Sequence, residues 1–510
     1  MKAKHSLSMS KGLLLMCLGL VFGARAAAQD LWREGPNVSG LSFYTESSAQ
    51  ASLYGKYTSG ELKDPSEARE LWIAGAAAQA ETHFKDLVLT GQFSFEQASA
   101  QDMMGSMFTR PGSYPIDVLE FTPGPKLMQT YGIGGGLAWI NGSRWVPGAT
   151  LRFEGVNYSK RKDIRHTTYR QEVELLPSLL YKAPDWAAGA TLRLEKTSEF
   201  IQAEQLGAAT SESYYAFLDK GMRYGSYQVW DGSGIHLKEA GVDRLPVKEL
   251  TMGAGLQASW KDLLYIQAHY DRSSGEVGEK GYTWFRFPGA TAGVTLALAL
   301  HGSEGTHMLK AELGWARKDN YESVIEKITS GGVTTPVEYG DNRIYALREL
   351  SFDPGYHYYG NNGFQIISAL HLFYDRQLST LLYPFMDHDE AMHLKWDVDT
   401  EIPLGKHFLL KGGALLRGKI GEHRHYIDRD DENLGVNGSP LRLESWWDPE
   451  QEVADATRFG ALFALRYNFF LPGGNPLFVE AEWKFLHALN ITLLPGSNRQ
   501  CATLTLGYSF

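Results

Sequence analysis

From Cys501 to Phe510 the chain alternates without a break. Ala502, Leu504, Leu506, Tyr508 and Phe510 share one face, and Cys501, Thr503, Thr505, Gly507 and Ser509 share the other. A period of two belongs to a strand, whose successive side chains point to opposite sides. The same pattern recurs along the chain as pairs of segments joined by short polar turns. Leu71–His83 and Leu87–Glu96 flank Lys85-Asp86, Thr130–Trp139 and Ala149–Tyr158 flank Asn141-Gly142-Ser143, and Tyr169–Tyr181 and Ala188–Thr197 flank Lys182-Ala183-Pro184-Asp185. Further pairs are Leu250–Trp260 with Leu263–Asp271, Thr291–Leu300 with Met308–Lys318, His393–Ile402 with Phe408–Ile420, and Phe459–Phe469 with Leu477–Leu486. Asn, Gly, Asp and Pro supply the positive or preset φ that tight hairpins need. The intervening connections Gln97–Lys126, Phe200–Val247, Asp319–Asp341, Gln377–Glu390 and Glu422–Ala454 read as long loops. With Ala51–Tyr57, Arg343–Leu350, Phe364–Tyr374 and the terminal strand the count reaches about 18 strands, with about 14 or 16 open because the phasing around Ile344–Gln365 is ambiguous.

The alternation assigns faces. Leu394, Trp396, Val398 and Ile402 oppose Lys395, Asp397, Asp399 and Glu401; Val479, Ala481, Trp483 and Phe485 oppose Glu480, Glu482 and Lys484. Two near-repeats, Gly148–Glu154 and Gly189–Glu195, place Arg152 and Glu154, then Arg193 and Glu195, on the polar side. A Lys or Arg facing lipid near the bilayer midplane costs roughly 2–4 kcal/mol, so these rows face a lumen. An apolar outer face ending in an aromatic resembles the closing strand of bacterial outer-membrane β-barrels, in which Tyr508 and Phe510 would serve as the assembly signal. The soluble alternative is an edge strand of a sandwich.

The other end of the chain favours the barrel. Lys2, Lys4 and Lys11 precede an apolar run from Leu13 to Phe22 and then Ala24-Arg25-Ala26-Ala27-Ala28. This pattern predicts a signal peptide over residues 1–28, too short to span a bilayer and ending in an A-x-A-type site. Cys17 is expected to leave with it, because Met16 is bulky where lipoprotein processing wants a small residue. Cys501 is then the one remaining cysteine and no internal disulfide can form.

Aromatic residues make up 12% of the chain and glycine 54 residues, yet mean hydropathy is −0.28. No later apolar run approaches the ~20 residues of a membrane helix, whereas a barrel needs only alternate residues to meet lipid. The net charge of −10 argues against nucleic-acid binding. With no composition break, residues 29–510 read as one all-β transmembrane barrel with short periplasmic turns and long extracellular loops.

The candidate lumen lining is Arg152, Glu154, Arg193, Glu195, Lys395, Asp397, Asp399, Lys411, Arg417, Glu480 and Glu482. These charges either wall a water-filled path that selects solutes or pair with one another to fill a wide barrel. Two connections carry candidate contacts. Met103, Met104 and Met107 could fold inward, meet an apolar ligand or pack against neighbouring loops. Tyr214, Tyr215 and Trp230 suit sugars, partner proteins or a capped vestibule. Asp387-His388-Asp389-Glu390 with His393 has the composition of an omptin-like protease rim or a metal site, or of a solvated acidic loop. Asp428, Asp430, Asp431 and Glu432, preceded by His423 and His425, lack the glycine and terminal glutamate of an EF-hand. No stretch specifies covalent catalysis, and no cofactor or metal is expected.

Taken with the Gln29 start, the terminal strand and the charged-in, aromatic-out segments, the chain resembles an uncharacterised Bacteroidota outer-membrane barrel family. The resemblance implies a non-enzymatic channel or accessory for solute passage, located in the outer membrane among lipid and lipopolysaccharide. It also implies insertion by the barrel assembly machinery and work beside a TonB-dependent receptor or surface lipoprotein. The first alternative is a plugged barrel that anchors a surface complex, its lumen closed by Gln97–Lys126 or Phe200–Val247. The second is a rim hydrolase or protease in which Asp387, His388 and Asp389 converge in a cleft.

Overall fold

The computed structural model describes residues 31–162, 165–204, 214–222, 225–230, 244–279, 282–380, 386–426, 444–471 and 476–509. The expected signal peptide and the 428–432 acidic group lie outside them, as does Phe510. The described chain forms a closed antiparallel barrel of 18 strands. In chain order the strands are β1 (Ser48–Gly60), β2 (Glu70–His83), β3 (Leu87–Ser106), β4 (Asp117–Trp139), β5 (Trp145–Lys160), β6 (Arg165–Lys182) and β7 (Trp186–Glu204). A hairpin of β8 (Tyr214–Asp219) and β9 (Gly225–Trp230) leaves the wall and pairs with β4 instead. The wall resumes with β10 (Arg244–Trp260), β11 (Leu264–Glu279), β12 (Tyr282–His301), β13 (Gly305–Ser330), β14 (Val333–Gly360) and β15 (Gln365–Thr380). It ends with β16 (Met386–Leu404), β17 (Phe408–Tyr426), β18 (Arg458–Phe470), β19 (Pro476–Ala488) and β20 (Asn498–Ser509). Closure comes from β20 pairing with β1, with Leu506 opposite Leu53. Two short helical pieces, α1 (Leu31–Glu34) and a 3-10 turn at Val38–Phe43, precede the barrel, and α2 (Glu444–Asp455) lies between β17 and β18.

The outward face of the wall carries a belt of exposed apolar side chains, among them Leu53, Ile133, Leu151, Leu192, Leu256 and Leu504. In water such a belt would be prohibitive; in lipid it is the solvation shell. Exposed Trp139, Trp145, Trp186 and Trp260 stand at strand ends beside the short turns, Trp186 directly opposite Trp260. They form an aromatic girdle at one interface. No helix among the described residues is long and apolar enough to cross a membrane. Leu192→Arg at mid-belt is expected to destabilise the barrel by about 2–4 kcal/mol, measurable as a shift in the urea-dependent folding equilibrium into lipid vesicles.

Two connections that read as loops are largely strand. Asp319–Asp341 continues β13 and β14 to a tight turn at Gly331-Gly332, where both residues have positive φ. Beyond Glu322 the hairpin has lost β12, and before Tyr345 it has not yet met β15, so its two strands pair only with each other, with the Arg286 side chain of β12 reaching Glu338 and Asp341 at its base. Water bathes both its faces, so pairing persists where the apolar alternation ends. The first part of Gln97–Lys126 likewise extends β3 through irregular pairing at Asp102, which has positive φ, and Gly105. Met103 and Met104 therefore lie on a strand, not in a loop.

Candidate functional site

The barrel is capped at both mouths from inside. At the short-turn mouth, the segment from Leu31 to Phe43 sits against inward-facing residues. Trp32 is fully buried, donates from Nε1 to Ser259 Oγ at 3.0 Å and meets Tyr265 edge-on. Asn37 caps the 3-10 turn by accepting from the Ser39 amide, while its Nδ2 donates to the carbonyls of Leu179 and Ala190 on neighbouring strands. Ser39 and Ser178 share a 3.2 Å hydrogen bond, and Lys182 donates to Ser42 O. Glycines make this seat possible. A Cβ on Gly189 would lie 2.5 Å from Asn37 Nδ2 and 2.9 Å from the Trp32 ring, and one on Gly148 would lie 2.6 Å from Ser39 Oγ.

At the long-loop mouth the residues between β3 and β4 turn into the lumen. Met107 and Phe108 are buried with Tyr114, Ile116, Ile201, Val247, Phe285 and Phe287 in an apolar cluster inside the wall. Polar contacts anchor the loop around them. Thr168 donates to Met107 O, the Thr109 amide to Glu199, and Lys318 of β13 to Ser113 O, so the loop reaches from β4 far across the lumen. Burial, reinforced by the Glu199 charge, pushes the Tyr114 hydroxyl well above its ordinary pKa. The β8–β9 hairpin covers this loop. Lys220 pairs with Glu322, Asn320 donates to Lys220 O, and Phe217 meets Trp447 of α2 edge-on.

Between the caps, charges of both signs line the lumen in networks. Glu174 holds Arg152 and Arg193, each at 3.0 Å; Arg193 also contacts Asp271 and Glu195. Glu154 accepts from Arg170 at 2.9 Å and from Arg110 of the inward loop. Across the lumen, Lys411 and Arg466 share Glu480 at 2.9 and 2.8 Å, Lys484 meets Glu482, and Lys395 meets Asp397. His371 bridges Asp353 and Asp397. Asp399 lies on the face of Asp397, and Arg417 on the face of Lys411, both half-buried. Sequence reading missed Arg170, Glu172, Glu174 and Asp271, although the alternation that gave Arg152 and Glu154 runs through β6 and β11 as well. Arg110 carried no such signal, because it belongs to an inward loop. The networks remain wet: the Arg152, Arg193, Lys395 and Glu312 side chains keep 44%, 37%, 39% and 45% of their exposure. A recess of about 250 Å³ is lined by His269, Thr291, Thr295, Glu312, Glu349, Ser351, Asp353 and Phe373.

The remaining candidates separate. Tyr214 and Tyr215 pair through their backbones with Trp230 and Val229 in the β8–β9 hairpin; their side chains lie outside the described residues. Asp387, His388 and Asp389 are consecutive on β16, which sends His388 and Asp389 to opposite faces. His388 lies 3.5 Å from Glu390, whereas buried Asp389 faces Lys419 at 3.6 Å and His393 meets Asp375 at 3.0 Å. No group of three metal-ligating side chains occurs among the described residues.

This capped, closed barrel corresponds to one family model across residues 38–510. The chain belongs to the family of unknown function DUF6850. No curated protein matches it. Among solved structures, this DUF6850 member is similar to the ferric preacinetobactin receptor BauA of Acinetobacter baumannii, at 7% identity over 92% of this chain and 80% of that one, with a TM-score of 0.39. A FadL homologue of Pseudomonas aeruginosa gives 12% identity over 92% of each chain and a TM-score of 0.33. OccK8 of the same organism gives 9% identity over 91% and 97%, with a TM-score of 0.36. Likeness at this level has no bearing on what the DUF6850 barrel conducts or binds.

Proposed function

We propose that the protein is an outer-membrane barrel that passes a small hydrophilic solute through a lumen narrowed by its two inward caps. The observation that carries this reading is the wet, charge-lined mid-section between them, with Arg152, Arg193, Lys395 and Glu312 open to water. A barrel serving only as scaffold would gain nothing from hydrated ion pairs at its centre, since buried charge costs more than it returns when apolar packing could replace it. The outer-membrane location is supported by the export-type N-terminus and the aromatic-ended closing strand. The test is planar-bilayer recording of the purified full chain. Small, reproducible openings are expected, with a reversal potential near zero in a salt gradient because the lining carries both signs in pairs.

A second reading, a barrel that docks a surface partner such as a TonB-dependent receptor or lipoprotein, is favoured by one feature. The free end of the β13–β14 hairpin exposes Val324, Ile328 and Tyr339 beyond the wall, where no lipid covers them. Tyr339 donates to Glu326 across the hairpin, and Glu338, hydrogen-bonded by Arg286, is held below the usual carboxylate range. A barrel demonstrably inserted but silent would shift the reading to this one.

A further inference from the structure

On β3, β4 and β5 the apolar belt meets uncharged residues at its long-loop edge: Gln97, Gln129 and Asn157 face outward there, opposite one another across the strands. On β11 to β15 it meets arginines. One outward position beyond Trp315, Leu350 and Tyr374 stand Arg317, Arg348 and Arg376. Register places Arg317 opposite Arg348 and Arg348 opposite Arg376. Arg272 of β11 lies in the same row, with only Ala290 of β12 between it and Arg317.

Like charges directly opposite on a sheet repel, so such a row is unfavourable unless anions lie along it. The protein supplies too few. Asp319 holds Arg348 at 2.8 Å, and Glu390, opposite Arg376, accepts instead from the Tyr374 hydroxyl at 2.6 Å. In the next row out, Glu338 and Asp341 take up Arg286, and Glu276 stands opposite Lys248. Arg272, Arg317 and Arg376 are exposed and have no ion pair among the described residues. We propose that this row binds the phosphate groups of a phosphorylated glycolipid in the leaflet on the long-loop side, whose acyl chains lie on the belt below. Exposed Tyr270, Trp315 and Leu350 adjoin the arginines, so the anion that reaches them carries an apolar tail. Guanidinium groups take phosphate oxygens in bidentate pairs. Neighbouring strands lie roughly 4.8 Å apart, so Arg272 to Arg376 covers about 19 Å, more than a single phosphodiester headgroup can reach. Two phosphates on a rigid sugar spacer can engage both ends of it. With the long loops facing outward, that leaflet is the outer one.

This inference rests on the outer-membrane placement and not on solute passage. The refolded full chain in detergent is titrated with bis-phosphorylated lipid A, with the same lipid A stripped of both phosphates, and with phosphatidylglycerol, and bound lipid is counted by native mass spectrometry. The test variant combines Arg272→Gln, Arg317→Gln and Arg376→Gln, which leaves the Arg348–Asp319 pair intact and strands no acid. The control combines Lys85→Gln, Arg144→Gln and Lys406→Gln, an equal charge change on the exposed short turns. Phosphorylated lipid A is expected to bind the unaltered chain about tenfold or more tighter than the test variant, with the control within about twofold of the unaltered chain. Stripping the phosphates is expected to abolish that difference. Equal affinity for the unaltered chain and the test variant, or an equal loss in the control, overturns the site. Phosphatidylglycerol bound as tightly as lipid A overturns the glycolipid. Folding is read separately in phosphatidylcholine vesicles, where the urea midpoint of the test variant is expected to equal or exceed that of the unaltered chain, because repulsion has been removed. A lower midpoint shows that the protein's own groups satisfy the row, and overturns the proposal. Planar-bilayer currents of the two are expected to match: a silent barrel that binds the glycolipid refutes solute passage alone, and a conducting barrel that does not bind it refutes this site alone.

Discussion

Replacing Glu120 by alanine is expected to destabilise the long-loop cap by about 3–5 kcal/mol. Glu120 is fully buried at the foot of the inward loop, on the stretch of β4 that pairs with β8. Two ammonium groups share its carboxylate, Lys126 at 3.1 Å and Lys160 at 2.5 Å, and both are as buried as their partner. Lys160 also donates to Thr122 Oγ1 and Lys126 to Ser106 O, so the triad ties the start of β4 to the end of β5 and to the rim of β3. Removing the carboxylate strands two positive charges in a dry site, where their repulsion adds to their unmet solvation. Removing all three charges (Glu120→Leu, Lys126→Met, Lys160→Met) is expected to recover most of the loss, because the pairing and not the packing is what the single change breaks. Limited proteolysis of the folded barrel reads the cap, and the urea midpoint of folding into vesicles reads the wall. Rapid cleavage between Met107 and Ile116 in Glu120→Ala, restored to resistance in the triple variant, is the expected pattern. Equal loss in both variants would place the effect in shape rather than charge.

How much of this was legible in the sequence depended on where lipid ends. Inside the belt, lipid imposes a strict period of two, so Leu394, Trp396, Leu504 and Leu506 disclosed their faces, and their neighbours disclosed the lumen. Outside it the constraint lifts. Glu322 to Asn342 pair with one another through a single bulge at Val324 and Ile325, yet read as a loop because both faces meet water. The caps are the harder case. Met107 belongs to a stretch whose sequence allows it to fold inward, and it is buried, but its destination inside the wall depends on Ile201, Phe285 and Phe287, which are remote in sequence. Nothing in Leu31–Phe43 is periodic. Its nearest sequence signal is the run of inward glycines on the strands it touches, Gly136, Gly148 and Gly189, where a side chain would collide with Val38, Ser39 or Asn37. Glycine weakens a strand, so a row of them on facing strands marks a surface that another backbone approaches closely. His388 and Asp389, which a rim hydrolase would need in one cleft, are neighbours on β16, and strand geometry sends them to opposite faces.

Gly189→Val is expected to raise the open-channel conductance several-fold by unseating the short-turn cap. The nearest atoms a side chain at Gly189 would meet are Asn37 Nδ2 and the Trp32 ring, all of them in the cap and none in the wall. Valine favours strands, so the barrel itself should tolerate the change. The cap has no such freedom. Asn37 would lose both carbonyl partners, Trp32 would be pushed from Ser259 and Tyr265, and the 3-10 turn that depends on the Asn37 cap would lose its start. Fully burying one large apolar side chain stabilises by roughly 1.5–3 kcal/mol, so losing the Trp32 contact and two side-chain hydrogen bonds is enough to shift the cap from mostly seated to mostly free. Two measurements on the same sample decide it: single-channel conductance in a planar bilayer, and trypsin cleavage after Arg33, which is held against Glu81 in the seated state. Larger openings together with faster cleavage identify a cap that obstructs the path. Faster cleavage at unchanged conductance would mean that the cap leaves the mouth without being the constriction, and would assign the narrowing to the Met107–Ile116 loop at the other end.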